Sequence, residues 1–86
     1  MTYQQIRKSH PETWLLLEAL QAHSSGQQRI LEELAVVNVF DDSYNALVAY
    51  KNLQKANPER ELYVVHSSKA ELEVKERIWL GLRSGA

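Results

Sequence analysis

Eighty-six residues suffice for one domain with a thin core, since a chain of this size buries roughly 60–65% of its unfolded surface. Apolar side chains at 44% and charged ones at 24% exclude a disordered chain, and ten basic against eleven acidic groups (formal charge −1) exclude a strong field steering it to nucleic acid or anionic membrane. The lack of cysteine removes disulfides, thiolate metal sites and thiol catalysis; with no leader-like opening and no apolar run near ~20 residues, a cytoplasmic, non-membrane setting is expected.

Thr2-Tyr3-Gln4-Gln5 has the Thr-x-x-Gln spacing of a capping box and predicts a short helix from Tyr3 to about Ser9, with Tyr3 and Ile6 on one face. Residues 13–23 allow two readings. Ser9-His10-Pro11-Glu12 is another capping-box pattern with proline near a first helical position, and Leu, Glu and Ala are good helix formers. As a strand, the run puts Trp14, Leu16, Glu18 and Leu20 on one face and Leu15, Leu17 and Ala19 on the other. The strand is adopted because Ser24-Ser25-Gly26 then makes a simple hairpin into the β-rich stretch beyond.

Arg29–Phe40 reads as the second strand; Val36, Val37, Val39 and Phe40 suit a pleated surface, although Ile30–Leu34 has helical propensity. Asp41-Asp42-Ser43 opens a helix over Ser43–Ala56, with Asp42 or Ser43 as the cap. Ala46, Ala49, Tyr50 and Leu53 recur at helical spacing and Leu47 widens that stripe. Lys51 and Lys55 complement the C-terminal dipole, and Pro58 forbids continuation. Glu61–Ser67 is a short strand. Ser68-Lys69-Ala70-Glu71 predicts a helical turn, and the even spacing of Leu72, Val74, Ile78, Leu80 and Leu82 an extended segment near Ile78–Leu82.

The expected fold is α+β in a single domain over residues 1–86: a short N-terminal helix, a β-hairpin, a helix and a strand (a ββαβ core), then a C-terminal helical turn or strand. The main helix should pack across one face of an antiparallel or mixed sheet. A right-handed crossover should join the second and third strands if they run parallel.

Tyr3-x-x-Ile6-Arg7, followed by Pro11-Glu12-x-Trp14 and an apolar run ending at Glu18, resembles small uncharacterised bacterial proteins. In these a Pro-x-x-Trp segment opens a strand hairpin, an Asp/Ser-capped helix follows, and a strand like Glu61–His66 closes the core. The likeness spans about residues 3–67. It implies the same ββαβ core and brings no activity, cofactor or site residue. Some such domains are encoded beside toxin–antitoxin or mobile-element genes.

Few residues carry a pattern of chemistry. His10, His23 and His66 lack metal-ligand spacing; His10 and His23 fall in or beside loops, and His66 at a strand end within reach of Ser67, Ser68 or nearby backbone. Glu18 is the oddest residue, a carboxylate on an apolar strand face that needs a partner. At an edge it would snorkel to water, and Arg29 or Arg7 would give a salt bridge; His66 would give an acid/base pair, the third and least favoured reading. Asp41-Asp42 and Glu32-Glu33 lack the spacing of a cation loop, and no phosphate loop or nucleophile elbow exists, so no metal or cofactor is expected. Trp14, Tyr63 and Trp79, with Arg29, Arg60, Lys75 and Arg77, would form a base-stacking surface if the sheet face were open, but the neutral charge favours core packing.

The hairpin strands are apolar on both faces, Leu15/Leu17 opposite Trp14/Leu16 and Val37/Val39 opposite Leu34/Val36/Phe40. One long helix covers one face, and the N-terminal helix offers the other only Tyr3 and Ile6. A homodimer is therefore expected, with the sheet or C-terminal segment at the interface through Leu15, Leu17, Val37, Val39, Leu80 and Leu82. The expected function is a non-enzymatic, self-associating module that binds a protein partner; the alternative is a nucleic-acid-associated, antitoxin-like regulator.

Overall fold

The computed structural model describes residues 1–72, Val74 and Lys75. The elements are α1 (Tyr3–Ser9), β1 (Trp14–Ser25), β2 (Gln28–Phe40), α2 (Ser43–Ala56), β3 (Leu62–His66) and β4 (Val74–Lys75). The fold is α+β, with the helix–hairpin–helix–strand order that the sequence predicts.

Local chemistry sets the boundaries. Thr2 Oγ1 accepts from the Gln5 N–H, and Gln5 Oε1 accepts from the Thr2 N–H, so the first capping box forms. The second does not start a helix. Glu12 lies in the left-handed region at φ 52°, a conformation no right-handed helix contains, so Pro11-Glu12 turns the chain into β1 instead. The hairpin closes with Ser25 opposite Gln28. Gly26, at φ 61°, takes the first of the two loop positions, as a tight turn with glycine first requires. Asp42 caps α2 by accepting from the Asn45 N–H at 2.8 Å.

The strand order is β3-β1-β2-β4 with antiparallel neighbours throughout. β1 is thus central, and β2 and β3 run parallel on either side of it. α2 makes the crossover between them. β1 pairs residue for residue with β3, from Trp14 opposite His66 to Glu18 opposite Leu62. Against β2 the register skips, once where Leu16 faces Asn38 and Leu17 faces Val36, leaving Val37 as the extra residue, and again around Gln21. Such bulges bend β2, whose outer edge pairs with β4 only at Gln28 and Arg29 among the described residues, and discourage pairing of that edge with another chain. Met1 shields the same edge, its carbonyl accepting from the Leu34 N–H and its ammonium donating to the Leu34 carbonyl.

The sheet is sandwiched between the helices. Tyr3 and Ile6 of α1 join Leu15, Leu17, Leu34 and Val65 in one buried cluster. By strand alternation Leu16 and Leu62 face the opposite way; both are fully buried, and α2, which lies against β1 and β3, covers them with Ala46 innermost. Burying each such large aliphatic side chain contributes about 1.5–3 kcal/mol.

Several expectations change. Leu15 and Leu17 are core residues beneath α1 and are not available to a partner, because α1 closes that face with two large side chains. Val37 is half-buried at the bulge, and Val39 remains 37% exposed. Residues 68–71 form no helical turn; the Lys69 N–H donates to the His66 carbonyl at 3.0 Å and closes a tight turn at the end of β3. The predicted segment Ile78–Leu82, with Leu80 and Leu82, lies outside the described residues.

Candidate functional site

The Glu18/His66 pair does not assemble. The β1–β3 register places Glu18 opposite Leu62 and His66 opposite Trp14, four strand positions apart. At ~3.3 Å per residue that is about 13 Å, beyond direct or single-water proton transfer. Each side chain has its own partner. Glu18 accepts two hydrogen bonds from Arg60, at 2.7 and 3.0 Å, in a bidentate pair. The Arg60 guanidinium holds the Glu18 carboxyl below its ordinary value, with desolvation opposing. The expected partners Arg29 and Arg7 are engaged elsewhere; Arg60, two residues ahead of Leu62, is the cation that the register delivers. His66 packs edge-on against Trp14, ring centroids 5.0 Å apart, and its Nδ1 accepts the Ser68 N–H at 3.2 Å while meeting Ser68 Oγ at 2.7 Å.

A second clamp sits on the α1 face. Arg29 donates to both Glu61 oxygens at 3.0 Å, and the Tyr63 hydroxyl adds a third bond. The Arg29 bonds are the main reason that the Glu61 carboxyl lies below its usual range. A base-stacking surface is correspondingly reduced. Tyr63 is buried, Trp14 is half-buried against His66, and Arg29 and Arg60 are committed to carboxylates.

Other polar residues serve the fold. Ser67, the one buried polar residue among those described, accepts from the Thr13 N–H through its hydroxyl and returns its own N–H to the Thr13 carbonyl. Arg7 lines a shallow cleft beside Ser67, but its guanidinium donates to the Ser67 and Ala70 carbonyls. His23 touches Glu32 on the hairpin, and the N-terminal ammonium meets Glu33. Among the described residues no three His, Asp or Glu side chains gather as a metal site would require. None of their helices is long and apolar enough to cross a membrane.

No family model, curated protein or solved structure matches the chain.

What remains is a surface. α2 turns Ala46 inward, with Ala49, Tyr50 and Leu53 half-buried or at the margin beside it, yet Tyr44, Leu47 and Val48 are 74%, 46% and 39% exposed. At about 100° per residue these three share a stripe with Lys51 and Lys55, centred opposite the buried face. Helical spacing alone puts Leu47 with the core stripe; the structure turns it outward. The signal for this is the i, i+3, i+4, i+7 spacing of Tyr44, Leu47, Val48 and Lys51, a second stripe on a helix that already has one.

Proposed function

We propose that this chain is a small, non-enzymatic, self-associating protein-interaction module of the cytoplasm. The observation that carries the reading is the exposed apolar stripe of Tyr44, Leu47 and Val48 on α2. A domain this small gains nothing for its own core from three large apolar side chains facing water, and contiguous exposed apolar surface of this kind marks an interaction site. The two carboxylates whose values are lowered, Glu18 and Glu61, are each held in a bidentate pair with an arginine. Their role is structural.

Sedimentation velocity over about 10 µM to 1 mM tests the proposal, because small interfaces belong to the weak, transient class. The parent chain is expected to shift from monomer to dimer over that range. Leu47→Glu is expected to stay monomeric with an unchanged far-ultraviolet spectrum and unfolding midpoint, since exposed positions tolerate substitution within about 0.5 kcal/mol. A parent chain monomeric throughout would overturn the reading.

A further inference from the structure

Resting on the self-association reading, we infer that the second copy docks α2 against α2 antiparallel about a two-fold axis near Leu47 and Val48. Charge complementarity along one stripe favours this geometry. Asp41 and Asp42 lie at its start, Tyr44, Leu47 and Val48 occupy its middle, and Lys51 and Lys55 close it; all four charged residues are exposed, and Asp42 also caps the helix. A two-fold rotation reverses the order and lays each end on its opposite. Parallel docking would instead stack acid on acid and base on base. With the axis between Leu47 and Val48, Tyr44 of one copy faces Lys51 of the other, where an ammonium can sit over the ring, and Lys55 reaches Asp41. The antiparallel arrangement also opposes the two helix dipoles favourably. The sheet edges serve less well. The β2 edge is bulged and shielded by Met1, and β3 presents an edge of five residues.

The chain has no cysteine, so introduced thiols report geometry cleanly. Tyr44→Cys and Lys51→Cys chains, mixed under mild oxidation, are expected to give mainly the mixed disulfide rather than either homodimer, with Leu47→Cys alone cross-linking to itself. Lys51→Glu/Lys55→Glu is expected to weaken the dimer about tenfold at low salt, and mixing it with Asp41→Lys to restore association between the two variants. A dimer that persists but cross-links the Tyr44→Cys chain to itself, or ignores the charge reversal, overturns the antiparallel geometry and leaves self-association standing. Absence of any dimer overturns both.

Discussion

α1 has seven residues and α2 fourteen, and they lie on opposite faces of the same strands. α1 drives Tyr3 and Ile6, two large side chains, into the cluster around Leu15 and Leu17. It is also tied down: the Tyr3 hydroxyl donates to the Lys69 carbonyl at 2.7 Å, Gln4 to that of Ala70, and Arg7 to those of Ser67 and Ala70. α2 contributes only Ala46 as a fully buried residue, with Ala49, Tyr50 and Leu53 half-buried beside it. Coverage of a sheet face therefore follows side-chain volume and anchoring, not helix length. The shorter helix wedges large side chains into its face, and the longer one carries Tyr44, Leu47 and Val48 exposed on its outside.

The strongest way to break this comparison is Ile6→Ala. Ile6 is 0% exposed, so the substitution removes buried methyl groups and leaves a cavity against Leu15 and Leu17. A loss of about 2–5 kcal/mol is expected in urea unfolding. A loss below ~1 kcal/mol would mean that α1 rests on the sheet without wedging it.

Ala46→Leu tests the other face. Ala46 is also 0% exposed, but here the close approach depends on the absence of bulk. Overpacking should destabilise by about 1–3 kcal/mol, read as a lowered thermal midpoint. A neutral result would show that α2 stands off far enough to accept a larger side chain.

Much of this architecture is legible in the sequence because its signals are local. The Thr2 capping box, the Asp42 cap, Pro58 and the glycine turn mark boundaries through backbone chemistry within a few residues, and α1, α2 and the hairpin follow from them. The non-local features are not legible. Arg60 as the partner of Glu18 depends on the β1–β3 register, which periodicity does not encode. The sufficiency of Tyr3 and Ile6 depends on their volume and on anchors that reach some sixty residues ahead. Leu47 escapes a reading by spacing because α2 carries apolar residues on two opposite stripes, and spacing alone does not say which one meets the sheet.

The two arginine clamps give the finest comparison of the faces, and the smallest expected effect. Glu18 and Glu61 have folded values below the ordinary carboxylate range, whereas an unfolded glutamate titrates near ~4.3. At pH 7 both are ionised in either state, and the full stabilisation from pairing is present. As pH falls below about 4.3 the unfolded chain takes up protons before the folded one, so stability declines until the folded carboxyls are protonated as well. Both pairs are partly exposed and screened by solvent, so the stabilisation that each contributes at pH 7 is small. Arg60→Met removes the group chiefly responsible for the lowered Glu18 value and should flatten the acid limb of a stability–pH curve. Arg29→Met leaves Glu61 the Tyr63 hydroxyl, so it should flatten that limb less. Urea midpoints measured from pH 7 to about 3 would rank the two variants. The reverse order would show that the phenol adds little and that the guanidinium alone sets the Glu61 carboxylate on the α1 face.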